Sequence, residues 1–312
     1  MMSVMRIATF IISVFIVGMV EMMVAGIMNL MSDDLGVSEA IIGQLVTLYA
    51  LTFAICGPIL VKLTNRYPAR PVLLWTLVIF VVGNGIIAVA PNFTILVIGR
   101  ILSSAAASLI IVKVLALTAM LTIPKNRGKM IGVVYTGFSG ANVFGVPIGT
   151  MIGDWIGWRF TFVFIIVISL IAGLLMLKYL PTTTELNQAN RMYNNVSDDN
   201  QVTSHIVRPV EIVKFLAITL LILIANSVTF VFINPLILEN GHYMGYVSLA
   251  LLVNGVAGVV GTSMGGVLAD KLTSKRWLII AFTVFIVVML AINLILSTTI
   301  LLLVCLLYTS DA

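Results

Sequence analysis

The chain has 312 residues, of which 61% are hydrophobic and 9% are charged, and its formal net charge is +5. Soluble globular domains carry a charge on about a quarter of their residues, so this composition excludes that class and predicts an integral membrane protein. The basic residues lie in short clusters between apolar runs, as in the cytoplasmic loops of multi-pass membrane proteins, which argues against nucleic acid as a partner.

Apolar runs of about 20 residues, the length that crosses a bilayer, follow one another along the chain. The first run begins after Arg6 and has no small-residue cleavage site, so we interpret it as a retained span and not as a signal peptide. Nine complete spans are predicted, and a tenth begins near Thr298. The nine cover residues 7–30, 41–61, 72–90, 94–117, 130–152, 160–180, 212–236, 246–268 and 277–297.

Lys and Arg predict the side of the membrane that each loop faces. With the N-terminus in the cytoplasm, fourteen of the seventeen basic residues lie in cytoplasmic segments, and the opposite loops are short and acidic or neutral. Arg159 lies on the outer side, whereas Arg100 and Lys113 fall within a span. On the outer side we expect Asp154 to pair with Arg159, and Trp158 to anchor the chain at the membrane interface.

The stretch 181–210 is rich in Thr, Asn, Asp and Ser, and we interpret it as a cytoplasmic linker. It separates an N-terminal six-helix bundle, residues 1–180, from an incomplete C-terminal bundle, residues 211–304. A repeat supports this division, because VKLTNRYPARPVLL at Val61 aligns with GVLADKLTSKRWLI at Gly266. Two parallel repeats of six helices are the plan of a large class of secondary transporters. The repeat aligns Arg66 with Lys271 and Arg70 with Lys275.

Small residues recur at every fourth position through the fifth predicted span. On a helix these positions share one face, so they form a groove where another helix can approach closely. Pro147 lies within the stripe and removes the amide that would bond the Val143 carbonyl, which predicts a bend. A smooth, bent surface suits helices that slide. The stripe consists of Gly137, Ala141, Gly145, Gly149 and Gly153.

These segments together resemble the major facilitator superfamily and, within it, the bacterial drug:proton antiporters. The resemblance implies two pseudo-repeated six-helix bundles in a bacterial plasma membrane. Val61 and Asn65 depart from the family's loop motif in the first half, and the first three spans also resemble exporters of sugars and purine bases. The matching residues are Gly266, Asp270, Lys271 and Lys275 in the loop motif, Arg100 in the fourth-helix motif, and Gly145, Pro147 and Gly149 in the fifth-helix motif.

Glu21 is the one acidic residue in the interior of a predicted span. A charged carboxylate there is costly, so we expect it to be neutral, paired or facing a wet cavity, as a proton carrier requires. The alternative is a structural hydrogen bond to a neighbouring helix. Arg100 lies at a similar depth, roughly 12–15 Å below the outer surface at 1.5 Å per residue. It either stabilises the ionised carboxylate or only ties helices together.

Further polar residues within the spans are weaker candidates. Lys113 either contacts an anionic group of the substrate or extends to the membrane interface. Asn84, Asn142 and Asn226 are expected to bond across helices, and Asn142 and Asn226 are candidate substrate contacts. The basic turns either anchor the protein or hold the cytoplasmic side closed through charge contacts. Those turns contain Arg66, Arg70, Asp270, Lys271 and Lys275.

The sequence therefore predicts a monomeric, proton-coupled transporter that exports a small organic molecule by alternating access. Drug-like compounds, purines or nucleosides, and sugars all fit as substrates, and an importer of the same fold is an alternative. A membrane-embedded enzyme is disfavoured because the two histidines, His205 and His242, stand alone and no metal or nucleophile motif is present. No cofactor is expected. An ion channel is also disfavoured, because two bundles with a bent glycine stripe fit a rocking movement better than a fixed pore.

The last residues, 305–312, are polar where an apolar run should continue. Their back-translation resembles a sequencing-library adapter, so we expect an artefact joined to an incomplete reading frame, with a natural short C-terminus as the alternative. In the family that the chain resembles, the Gly-rich face of the fifth helix packs against the eleventh. We therefore expect the groove to lack its partner in this chain, and the chain not to transport.

Overall fold

A computed structural model describes residues 3–182 and 184–186, together with the isolated positions 217, 220, 256 and 283. Within these residues the chain is helical and no strand occurs. Six helical segments in the described part are long and apolar enough to cross a membrane. They confirm the six spans predicted for residues 1–180. The spans predicted from residue 212 onward and the linker lie outside the described residues.

In residues 3–182 each membrane span except the fifth is a single α-helix. The first span is α1 (Val4–Gly26), and the short helix α2 (Met28–Leu35) follows it. The second, third and fourth spans are α3 (Glu39–Thr64), α4 (Ala69–Ala88) and α5 (Phe93–Met120). The fifth span comprises α6 (Arg127–Gly140), a π-helical turn (Ala141–Gly145) and α7 (Val146–Ile156), and the sixth is α8 (Trp158–Tyr179).

Local sequence signals set several of these boundaries. The Ser3 side chain accepts a hydrogen bond from the Arg6 amide at the start of α1, and Asn92 does the same for the Ile95 amide at the start of α5. Both residues thereby satisfy an amide that the first helical turn leaves unpaired. Gly157 links α7 to α8 at a φ of 104°, a conformation that L side chains rarely adopt. The fifth and sixth spans can therefore follow each other with a single residue between them.

The interior of the bundle is built mainly from α1, α4, α5 and α8. The outer face of α3 is different, because large apolar side chains are exposed there at every fourth position. In water such a stripe would be costly, whereas acyl chains of a bilayer are as apolar as the side chains themselves. The exposed stripe on α3 consists of Leu51, Ile55, Ile59 and Leu63.

The fifth span is interrupted near Pro147, where the sequence predicts a bend. A π-helical turn over Ala141–Gly145 stands directly before Pro147, which occupies the beginning of α7. Proline has no amide to donate and clashes with the preceding turn, so the chain widens before it enters α7. The regular α-helix therefore breaks within the groove itself.

Candidate functional site

The small-residue groove of the fifth span is occupied by the first span. A Cβ built at Gly137 would overlap the carbonyl oxygen of Ile11, and one at Gly145 would lie 3.1 Å from the Met19 Cγ. The offset in residue number is the same throughout, so the two helices run parallel and in register. The groove positions and their neighbours on α1 are Gly137 with Ile11, Gly145 with Met19, Gly149 with Met23, and Gly153 with Ile27.

The packing is reciprocal, because α1 contributes small residues of its own. A Cβ at Gly18 would lie 3.0 Å from the Phe138 ring and 3.1 Å from the Ala141 Cβ. A Cβ at Gly26 would overlap the Thr150 hydroxyl. Such mutual use of small residues lets helix backbones approach closely in a membrane. The expectation that the groove lacks a partner in this chain is therefore wrong, since the partner is the first helix.

Arg100 lies at the centre of the bundle and is fully buried. Its Nη1 donates a hydrogen bond of 2.9 Å to the carbonyl oxygen of Val20 on α1. Its Cζ stands 4.5 Å from the centroid of the Tyr49 ring on α3, which is a cation–π contact. Among the described residues its Nε and Nη2 have no hydrogen-bond partner. The guanidinium is thus held by a backbone oxygen and a ring.

Glu21 is partly buried and follows Val20 directly on α1. It interacts electrostatically with Arg100, Tyr49 and Tyr135. The structure brings Glu21 and Arg100 near each other, as their depths predict. Within the described part of the chain they nevertheless form no ion pair. No contact in this region therefore pairs the Glu21 carboxyl group with the guanidinium.

Tyr49 completes this group, and the sequence alone does not single it out. Tyr49 is fully buried, its backbone carbonyl accepts a 2.6 Å hydrogen bond from the Ser104 hydroxyl, and its ring stacks with Phe53. Its own hydroxyl has no partner in the described region. A tyrosine near the middle of an apolar span was the available signal. We refer to Glu21, Tyr49 and Arg100 as the polar centre.

The other intramembrane candidates are dispersed. Lys113 is 9% exposed and makes no hydrogen bond or ion pair with the described residues. Asn142 lies in the π-helical turn, and its buried Oδ1 has no partner in that part of the chain. The Asn84 amide donates 2.8 Å to the Phe80 carbonyl of its own helix. The expectation that Asn84 bonds across helices is wrong, because a carbonyl one turn earlier is within reach.

Two arginines bind the end of the sixth span. The Arg6 Nε donates 2.9 Å to the Tyr179 carbonyl, and its Nη2 forms a 2.9 Å ion pair with Glu185. Arg70 donates 2.6 Å to the Leu177 carbonyl. Cations at a helix C-terminus satisfy carbonyls that the helix leaves unpaired and complement its dipole. Arg70 therefore ties the start of the third span to the end of the sixth, whereas Arg66 is exposed.

At the opposite end of the bundle, Arg159 pairs with Asp34, and its Nη2 donates 3.0 Å to the Ala90 carbonyl. The expected partner Asp154 is exposed on α7 instead. Trp158 is also placed differently, since it is 3% exposed and its indole donates 3.2 Å to Asp34. Both corrections have one cause: the short helix α2 brings Asp34 to the start of α8.

The remaining candidates lie outside the described residues. They are Asn226, Gly266, Asp270, Lys271 and Lys275.

Comparison with known proteins identifies the relatives of this chain. Residues 10–310 match the family model of the Major Facilitator Superfamily. The chain is 30% identical over 277 residues to the "uncharacterized MFS-type transporter YtbD" of Bacillus subtilis, with 88% of this chain and 67% of that protein aligned. It is 28% identical over 282 residues to YbcL, another MFS-type transporter of Bacillus subtilis, with 90% and 70% aligned.

Among solved structures, the proton:xylose symporter XylE bound to 6-bromo-6-deoxy-D-glucose superimposes with a TM-score of 0.73 at 15% identity. The alignment covers 98% of this chain and 78% of XylE. At that identity the match shows a shared fold. The family match covers nearly the whole chain, and one relative is 30% identical. Six helices among the described residues are long and apolar enough to cross a membrane, which agrees with both findings. The chain is a multi-pass membrane protein that belongs to the major facilitator superfamily of transporters.

Proposed function

We propose that this protein is a proton-coupled secondary transporter that exports a small organic molecule by alternating access. The observation that carries the proposal is the polar centre: Glu21 lies in the interior of the first span beside a fully buried Arg100 that does not neutralise it. An ionisable group inside a membrane span is costly and typically marks a proton or substrate pathway.

The chemistry follows from the two charge states of Glu21. When protonated, the side chain is neutral and can remain among apolar neighbours. When ionised, it attracts the guanidinium of Arg100, which cannot lose its own proton. A shift between these states would pull on α1 and α5, and the close packing of α1 in the groove would carry the fifth span along with α1. Proton binding and helix movement are thereby linked.

Substrate contacts are assigned to groups that keep polar atoms unpaired. The buried Oδ1 of Asn142 can accept a hydrogen bond, and Lys113 can attract an anionic group. Asn226 is assigned the same role in the second half. The basic turns, Arg66 and Arg70 with Asp270, Lys271 and Lys275 after Gly266, are assigned to closure of the cytoplasmic side. The setting is a monomer in a bacterial plasma membrane with a cytoplasmic N-terminus.

The test is substrate-dependent proton movement in proteoliposomes that contain a pH-sensitive dye. The probes are tetraphenylphosphonium, inosine and D-xylose, which represent lipophilic cations, nucleosides and sugars. Glu21→Gln should reduce proton movement to the level of empty liposomes, because an amide cannot carry a proton. Glu39→Gln is the matched control, since Glu39 is exposed at the first turn of α3. A Glu21→Gln protein that retains full proton-driven export would overturn the proposal.

A second candidate is proton-coupled uptake. It is favoured by two solved structures with the same fold, which are proton:xylose symporters. The same assay separates the two by sign. Export by exchange moves protons and substrate in opposite directions, whereas symport moves them in the same direction.

A further inference from the structure

We propose that Tyr49 is a positioning residue for proton exchange. Its ring, on the second span, holds the guanidinium of Arg100 from the fourth span and so keeps that guanidinium from pairing with Glu21. The inference rests on the proposed function, in which Glu21 carries the proton. It adds a residue that decides when the carboxylate is available to do so.

The first support is the way Tyr49 itself is fixed. Its backbone carbonyl is tied to α5 by the Ser104 hydroxyl at 2.6 Å, and its ring lies 6.3 Å from that of Phe53 at an angle of 28°. The backbone of Tyr49 is therefore tied to α5, and its ring is fully buried beside that of Phe53 on the same helix. A guanidinium 4.5 Å from its centroid gains a cation–π attraction, which is strongest where water is absent.

The second support is the number of unused donors on Arg100. Only Nη1 has a hydrogen bond, to the Val20 carbonyl, while Nε and Nη2 are unpaired in the described part of the chain. A guanidinium with two unpaired donors is ready for a bidentate contact with a carboxylate. Glu21 is the residue after Val20 on α1. The cation–π contact with the Tyr49 ring opposes a move of the guanidinium toward that carboxylate.

The third support is the set of ionisable groups around Glu21 in the described region. The titratable and charged groups that interact with Glu21 there are Arg100 from α5, Tyr49 from α3 and Tyr135 from α6. Arg100 is the cation of this set. Its position therefore decides whether the carboxylate is held in its ionised form.

The inference can be tested without a substrate. Protonated carboxyl groups in apolar surroundings add across one C=N bond of N,N′-dicyclohexylcarbodiimide. The covalent adduct is detected by peptide mass spectrometry. We expect wild-type Glu21 to be labelled at neutral pH and the Glu21→Gln peptide not to be labelled. Tyr49→Leu should lower the labelling rate of Glu21 about tenfold, because the released Arg100 pairs with the carboxylate.

Three further variants separate positioning from packing. Tyr49→Phe keeps the ring and should stay within about twofold of wild type. Ser104→Ala removes the hydrogen bond that ties Tyr49 to α5 but keeps ring and guanidinium, so labelling should fall by less than in Tyr49→Leu. Arg100→Gln in the Tyr49→Leu background should restore labelling, because the competing cation is gone. Tyr49→Met replaces Tyr49→Leu if the latter is not monodisperse in detergent.

The inference is overturned if Tyr49→Leu or Tyr49→Met is labelled at the wild-type rate, if Tyr49→Phe loses labelling to the same extent, or if wild-type Glu21 is not labelled. These outcomes are distinct from failure of the proposed function. If labelling is as expected but no substrate-dependent proton movement occurs, only the transport mechanism is contradicted. If proton movement needs Glu21 but Tyr49→Leu is labelled at the wild-type rate, only the role of Tyr49 is contradicted.

Discussion

The first span meets two different kinds of neighbour. Toward the fifth span it packs so closely that Gly137 has no room for a methyl group beside the Ile11 backbone. Toward α3 and α5 it meets the polar centre, where Arg100 keeps two donors unpaired among the described residues. One contact is saturated with van der Waals interactions and the other leaves hydrogen-bonding capacity unused.

This difference indicates that the groove contact with the fifth span holds the bundle together and that the polar centre is able to change. Helix association in a membrane depends on close packing, because lipid is as apolar as the side chains it would replace. Unpaired buried donors cost free energy and persist at sites that need a second arrangement. We therefore expect groove substitutions to lower stability and substitutions in the polar centre to affect coupling.

The largest effect is expected from Gly137→Ala. The new methyl group would meet the backbone of Ile11 and Phe15, which cannot rotate away, so the free energy of unfolding should fall by about 3 kcal/mol. Denaturation in mixed micelles measures the change. Gly140→Ala is the matched control, because its nearest neighbour is the Phe15 ring at 3.8 Å. Equal losses from the two variants would show that the groove does not set the packing.

A smaller effect is expected from Gly149→Ala. Here the methyl group would meet the flexible end of the Met23 side chain, which can turn aside, so the cost should be about 1–2 kcal/mol. A double-mutant cycle with Met23→Ala checks the contact. The pair should be less destabilising than the two single changes added, by about 1 kcal/mol. Strict additivity would contradict the packing of Met23 on Gly149.

The smallest effect, and the opposite sign, is expected from Arg100→Met. Replacing a buried cation that has unpaired donors by an apolar side chain of similar length should raise the free energy of unfolding by about 1 kcal/mol. The same variant should lose substrate-dependent proton movement in proteoliposomes. Arg100→Lys keeps the charge and should gain no stability. A loss of stability as large as that of Gly137→Ala would assign Arg100 to the scaffold.

The sequence alone predicted the six spans and the similar depth of Glu21 and Arg100. The six helices of residues 1–180 follow from the length of apolar runs, and the depth of Glu21 and Arg100 follows from counting residues along two helices. It did not find Tyr49, because a single tyrosine in an apolar span resembles an ordinary core residue. It also assigned the wrong partner to Arg159, choosing a residue near in sequence over Asp34.

Composition and helical periodicity are enough to identify a membrane protein, to locate its first six spans, and to find a small-residue groove with Pro147 in the fifth. Those features depend on composition and on the period of one helix, which are local properties of the chain. The packing of distant helices is what places α1 in the groove, and it is what brings Arg100 onto Tyr49 and the Val20 carbonyl instead of onto Glu21. Such choices depend on which faces of distant helices meet, and periodicity along one helix does not encode its neighbour.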